Sequence, residues 1–213
     1  MQLMLVRHAQ NDWIGDRLAG WTPGVHLNEK GHQQAQALGE RLAHLPITAI
    51  YSSPLERAVE TAQAIAAHHA LEVQILAGVG ETRYGEWTGA PLKELSKTEL
   101  WPVVQVYPSG ARFPGGESLR ETQGRAVAAL DALRDAHPEE RDVVVVVSHA
   151  DVVKAAVAHY VGLHLDLFQR LAISPASLSV IRFTRFGPRL MCLNDTGAVP
   201  EPPAERDEAE SSE

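Results

Sequence analysis

The chain has 213 residues, 45% of them hydrophobic and 22% charged, with a formal charge of −8; it can bury one good core and has the composition of an ordinary globular domain. The acidic balance argues against a polyanion such as nucleic acid, or an acidic membrane surface, as the main partner, and no apolar run approaches the ~18 residues of a membrane span. The single cysteine, Cys192, excludes an intramolecular disulfide and a cysteine-based zinc cluster, and suits a reducing cytoplasm.

The opening MQLMLVRHAQ has too short an apolar stretch before Arg7 to read as a signal peptide; Gln2 to Val6 reads as a strand. Asn28 caps a helix predicted to run to about His44, with Ala35, Leu38 and Leu42 on one face. Thr48 to Tyr51 follows as a strand. Next, Ser53, Pro54 and Glu56 fit the N-cap, first and third positions of a capping box, and Leu55, Val59, Ala62 and Ala66 repeat at helical spacing. Val73 to Leu76 is a third strand. From Thr82 to Gly116 periodicity is poor and glycine and proline are frequent, the pattern of an active-site cover rather than of a second domain. Its mixed content (Trp87, Leu95, Trp101, Tyr107, Arg112, Phe113) is expected to set substrate choice.

Ser118 to Ala136 reads as a long helix with Leu119, Ala126, Leu130 and Leu133 inward, Val143 to Val147 as a buried strand, and Asp151 to Val161 as a helix. Leu163 to Gln169 fits neither pattern, and Leu178 to Phe183 is a last strand. Strands alternating with helices predict an α/β fold built of βα units around a mostly parallel sheet. The domain is expected to span 1–199. The proline-rich acidic tail at 200–213 lacks the apolar residues needed to order it. From Glu201 to Glu213 six acids face one arginine, so the tail carries −5 and the body only −3. The body can therefore hold a locally basic pocket.

In open α/β sheets ligands bind beyond the carboxyl ends of the strands, so the polar residues that follow each strand are the ones to inspect. Arg7 and His8 follow the first; Ser52, Ser53 and, one turn on, Arg57 follow the second; Glu81 comes after the third; Ser148 and His149 follow the valine strand. Two arginines, two histidines and a carboxylate thus converge on one rim. Arginine forks bind phosphate oxygens and neutralise transition-state charge. Imidazole can accept a phosphoryl group without a metal, a carboxylate can protonate the leaving oxygen and later deprotonate water, and helix N-termini add N–H donors. Taken singly, each has an ordinary structural explanation: Glu81 a solvated loop acid, His149 a hydrogen-bonded core histidine. A metal site is the rival for two histidines and a carboxylate, but two nearby arginines disfavour it.

Leu5-Val6-Arg7-His8-Ala9-Gln10-Asn11 resembles the Arg-His-Gly signature of the histidine phosphatase superfamily, the phosphoglycerate-mutase-like proteins. Tyr51-Ser52-Ser53-Pro54-Leu55-Glu56-Arg57-Ala58 with Thr61-Ala62, then Glu81-Thr82-Arg83-Tyr84-Gly85-Glu86-Trp87-Thr88-Gly89, and finally Val147-Ser148-His149-Ala150 are similar to its later signatures, in family order. The resemblance implies a three-layer α/β/α sandwich in which His8 is phosphorylated, Arg7, Arg57 and protonated His149 hold the phosphate with Asn11 on the first loop, and Glu81 is the proton donor. Ala9 stands where glycine is commonest, Asn11 where Ser or Thr is common, and Ile14 and Thr22-Pro23 where mutase-type members carry Asn and a Tyr-Asp pair. Only 67 residues lie between Glu81 and His149, too few for the longer basic insertion of those mutases, and Phe113-Pro114-Gly115-Gly116-Glu117-Ser118 is similar to the turn of phosphatase members. The expected activity is therefore metal-independent hydrolysis of a small phosphomonoester, with no cofactor, metal, nucleic-acid or membrane partner, in the cytoplasm. A phosphomutase is the first alternative and a phosphate-ester binding module with little turnover the second. Sugar phosphates, nucleotides, a cobalamin precursor and phosphopeptides all remain open as substrates, as does the oligomeric state, a homodimer included.

Overall fold

The computed structural model describes residues 1–197, so the acidic tail read at 200–213 lies outside the described residues. Strand β1 (Gln2–Arg7) starts the chain, followed by α1 (Glu29–Leu42), β2 (Ala49–Ser52), α2 (Glu56–Ala66) and β3 (Val73–Ile75). Two short helices, α3 (Leu92–Leu95) and α4 (Leu100–Val106), interrupt the irregular stretch. The chain then runs through α5 (Leu119–Ala136), β4 (Val143–Ser148), α6 (Ala150–Tyr160), β5 (Leu178–Thr184) and β6 (Gly187–Asp195).

The sheet has the order β3-β2-β4-β1-β5-β6. The first four strands are parallel, and β5 and β6 close the far edge antiparallel. Successive side chains of a strand point to opposite faces, and β1 divides accordingly. Leu3 and Leu5 pack with Val144, Val146, Ala126, Leu130 and Val153 on the α5/α6 side, while Met4 and Val6 pack with Val145, Leu38, Ala62 and Ile65 on the α1/α2 side. Both faces of β4 are covered, which is why its sequence is an unbroken run of valines. The result is the expected three-layer α/β/α sandwich.

Three local expectations differ from the structure. The N-cap of α2 is Leu55 and carries no side-chain cap; Ser53 points elsewhere and Glu56 accepts the backbone N–H of Gly24 at 3.0 Å. The capping box sits instead on α5, where Ser118 and Glu121 exchange both bonds. Strand β6 escaped prediction because most of its residues are exposed or half-buried, leaving no alternation to read, and Pro188 demotes it by composition. The undecided stretch at Leu163 resolves as a 3-10 turn over Leu165–Arg170. Among the described residues no helix is long and apolar enough to cross a membrane.

The segment read as a cover is a satellite core. Tyr84, Trp87, Leu95, Val104, Ala111 and Phe113 bury themselves against Leu119, Ala155, Ala158, Leu165 and Phe168. Arg125 of α5 ties its start to the sheet: Nη1 donates to the carbonyls of Gly78 and Gly80 at 2.9 and 2.8 Å and Nη2 to that of Glu81 at 2.8 Å. The same guanidinium pairs with Glu117 at 2.6 Å, mostly out of solvent.

Candidate active site

Register brings the strand ends together. Arg7 lies opposite Ser148, and Ser52 opposite Val147, so His8, Ser53 and His149 leave the sheet side by side. The first loop is pinned from two sides. The N–H of Ala9 donates to Thr61 Oγ1 at 3.1 Å, and α1 approaches so closely that a Cβ on Gly31 would collide with the carbonyl of Gln10.

His8 is buried, and its Nδ1 lies 2.8 Å from its neighbour's carbonyl, Ala9 O. A carbonyl only accepts, so Nδ1 carries the proton and Nε2 keeps its lone pair. That lone pair accepts from Arg57 Nε at 3.3 Å. Arg57, fully buried at the start of α2, also donates through Nη2 to Gly20 O at 2.8 Å. Arg7 is anchored by Nη1 to Ile173 O at 2.6 Å. Glu81 receives the Thr82 N–H on Oε1 at 2.9 Å, and its Oε2 stands 3.7 Å from His149 Nδ1. The rings of His8 and His149 are 5.1 Å apart, edge to face.

Burial governs the protonation of this cluster. Desolvation, reinforced by Arg57 and Arg7, holds His8 well below the ordinary imidazole value. Desolvation and Arg57 do the same to His149. Two buried arginines and a second imidazole thus work against the protonated His149 expected from the sequence. Burial and the neighbouring Asp151 carboxylate push Glu81 up to about 7, so near neutrality it holds a proton it can release.

Three buried donors of this site find no partner among the described residues: Arg7 Nε, Arg57 Nη1 and Asn11 Nδ2. Leaving a buried polar group unpaired costs about 1–3 kcal/mol, and three in one place, two of them cationic, define a receptor for an anion. Asn11 contributes because its Oδ1 is spent on the N–H groups of Trp13 and Ile14, at 2.9 and 3.2 Å. All three residues line a cavity of about 170 Å³ with His8, Glu81 and Asp151. A larger groove of about 710 Å³ lies at the other end of the sheet, around Met1, Arg134 and Phe183, away from these groups. No cluster of three or more His, Cys, Asp or Glu able to hold a metal ion occurs among the described residues.

The expected cover supplies part of the outer wall, through Tyr84 and Leu92; the rest, from Trp13 to Gly20 and from Asp151, was not foreseen. Of the cover residues expected to touch substrate, Trp87, Leu95 and Phe113 are buried in the satellite core, Tyr107 is exposed, and none of the six lines this cavity. Tyr84 donates to Asp151 Oδ2 at 2.9 Å, a pair that only the long-range packing of Tyr84 could reveal.

Comparison with known proteins agrees with this geometry. The family model described as the histidine phosphatase superfamily (branch 1) matches residues 3–196. Phosphoglycerate mutase-like protein 4 of Arabidopsis thaliana is 36% identical over 159 residues, 72% of this chain and 68% of the relative. Phosphoserine phosphatase 1 of Hydrogenobacter thermophilus is 32% identical over 208 residues, 92% and 93% of the two chains. Among solved structures, a mycobacterial glucosyl-3-phosphoglycerate phosphatase with VO3 superposes with a TM-score of 0.83 at 25% identity, covering 91% of this chain and 98% of that one.

Proposed function

The chain belongs to the histidine phosphatase superfamily (branch 1), and on that premise we propose that it hydrolyses a small phosphomonoester through a phosphohistidine on His8, without a metal. The observation that carries this reading is the convergence of three unpartnered buried donors on the cavity that His8 lines, with His8 held in the tautomer that leaves Nε2 unprotonated. The phosphoryl oxygens sit among Arg7, Arg57, Asn11 and His149. His8 Nε2 attacks phosphorus in line; the P–N bond forms as the P–O bond to the alcohol breaks, and the Glu81 proton goes to the departing oxygen. In the second half, Glu81 takes a proton from water while the oxygen of that water bonds to phosphorus. The P–N bond breaks, and both His8 and Glu81 return to their starting states.

Hydrolysis is favoured over phosphoryl return because the cations lining the cavity are Arg7, Arg17 and Arg57. Two serve the phosphoryl group, leaving a single arginine at the rim for a second anionic group. At about 170 Å³ the cavity is smaller than the ~300–1,000 Å³ of drug-sized sites, which favours a small metabolite over nucleotides, a cobalamin precursor or a phosphopeptide. The single cysteine supports a reducing cytoplasmic location. A phosphate-release screen over small phosphometabolites, with 3-phosphoglycerate isomerisation assayed alongside, tests the reading. Labelled substrate should leave a phosphoenzyme that survives a base quench and is lost in acid. Label on a serine, or full turnover in His8→Ala, overturns it.

A further inference from the structure

We propose that Ser53 is a positioning residue that donates its hydroxyl proton to His149 Nε2, so that His149 offers Nδ1–H to the phosphoryl group while remaining a neutral imidazole. The proposal rests on the phosphatase reading of the site and adds how one of its donors works.

The geometry runs as follows. Ser53 is fully buried. Among the described residues its Oγ has two partners: the Leu55 N–H at 3.3 Å, which can only donate to it, and His149 Nε2 at 2.8 Å. If Nε2–H donated to Ser53, the hydroxyl proton would have no acceptor, at a cost of about 1–3 kcal/mol for a buried donor. The opposite tautomer would gain a contact from Arg57 Nη2 to Nδ1, at 3.4 Å the longest hydrogen bond about the two rings, while leaving that hydroxyl proton unpaired. The other proton of Arg57 Nη2 goes to Gly20 O at 2.8 Å, so that nitrogen keeps a partner in either tautomer. With Nδ1 protonated, that edge of the ring instead faces the Glu81 carboxyl, 3.7 Å away.

The two histidines then carry complementary tautomers. His8 has Nδ1–H tied to a carbonyl and presents a lone pair. His149 has Nε2 tied to a hydroxyl and presents a proton. The groups that face His149 are Arg57 of α2, Arg7 and His8 beyond β1, Arg125 of α5 and Glu81 after β3. The surrounding cations and burial disfavour imidazolium, so only a fixed tautomer makes this ring a donor at neutral pH. Serine before Pro54 first reads as a helix cap; its hydroxyl serves the imidazole instead.

Two measurements decide the matter. In nitrogen-15 spectra of the intact protein at pH 7, His149 should show a pyridine-like Nε2 and a pyrrole-like Nδ1. An Nε2–H tautomer or an imidazolium overturns the proposal, whatever the enzyme's substrate proves to be. Ser53→Ala should lower kcat/KM at pH 7 by about 10- to 100-fold, the scale on which removing the hydrogen-bond partner of a metal-ligating histidine acts. Ser53→Thr, which keeps the hydroxyl, should recover most of the activity. A deficit in Ser53→Ala that Ser53→Thr does not recover, or no deficit in a folded variant, counts against the role. Absence of phosphatase activity in the wild type would instead remove the function itself, leaving the tautomer measurement intact.

Discussion

The inner end of the cavity and its outer wall are built by different means. The inner end consists of residues that directly follow β1 and β4, fixed by ladder register, and of Arg57 at the start of α2: His8, Arg57 and His149 are almost wholly removed from solvent. The outer wall is two loops laced together over long sequence distances. Leu92 N donates to Asp16 O at 2.7 Å, Gly89 N to Leu18 O at 2.7 Å and Leu18 N to Ala90 O at 3.0 Å, while the Arg83 guanidinium lies 4.4 Å over the Trp21 ring. Chemistry common to all phosphomonoesters can be written into the rigid part, and choice among them into the laced part, where one loop can change without disturbing the sheet.

The sharpest way to break this division is at Arg57, which touches His8, Gly20 and the anion site at once. Arg57→Ala removes a transition-state cation and should cost on the order of 10³-fold or more in kcat, as for other arginines that stabilise phosphoryl transfer. The loss should be similar for every substrate. A variant that loses activity on one substrate and keeps it on another would place Arg57 in the selective wall.

Glu81 gives the next largest effect and tests the inner end by leaving group. General acid catalysis contributes roughly 10²- to 10⁴-fold, and p-nitrophenolate needs little protonation. Glu81→Ala should therefore lose far more kcat/KM on an alkyl phosphate than on p-nitrophenyl phosphate. With the aryl substrate it should show a burst of product and accumulate phosphoenzyme, because the water-attack step still lacks its base. The pH dependence follows from the same carboxyl. Burial and Asp151 raise it to about 7, so the donor form is lost as pH rises through neutrality. Wild-type kcat/KM on the alkyl phosphate should fall above about pH 7, and this limb should vanish in Glu81→Ala. Equal losses on both substrates would reduce Glu81 to a positioning role, with Asp151, the other carboxylate lining the cavity, the acid to examine next.

How much of this was legible in the sequence follows the same boundary. His8, Arg57 and His149 could be found because a strand end is a local signal, and the α/β/α order because each helix carries its own apolar stripe. Ser53 was seen but misassigned, since serine followed by proline satisfies a helix-cap pattern regardless of where the hydroxyl turns. The pull on the His149 proton is invisible in the sequence because it comes from burial and from Arg57, Arg7 and Arg125 on three other elements. The wall from Trp13 to Gly20 and the Tyr84–Asp151 pair depend wholly on tertiary packing. The aromatic content of the cover suggested contact with substrate, whereas tryptophan and phenylalanine bury large apolar areas wherever they can, and here they build a core.

That last point yields the smallest predicted effect and the one that locates the limit of the wall. Arg112 and Tyr107 stand on the outer face of the cover. Arg112 pairs with Glu121 at 2.6 Å, both side chains more than half exposed, the setting in which an ion pair contributes about 0–1 kcal/mol. Losing it leaves Glu121 bonded to the Ser118 N–H at 2.8 Å, so the α5 cap persists. Tyr107 is 54% exposed, and its ring lies against Gly110. Arg112→Ala and Tyr107→Ala should each shift stability by less than about 1 kcal/mol and leave kcat/KM within about twofold on any substrate, the scale of ordinary surface changes. Urea unfolding and kinetics on an alkyl and an aryl phosphate measure both. A tenfold loss confined to one substrate would mean that the outer face of the cover folds down over bound ligand, moving the selective wall outward from Trp13 and Tyr84 to residues that the closed core now holds apart from it.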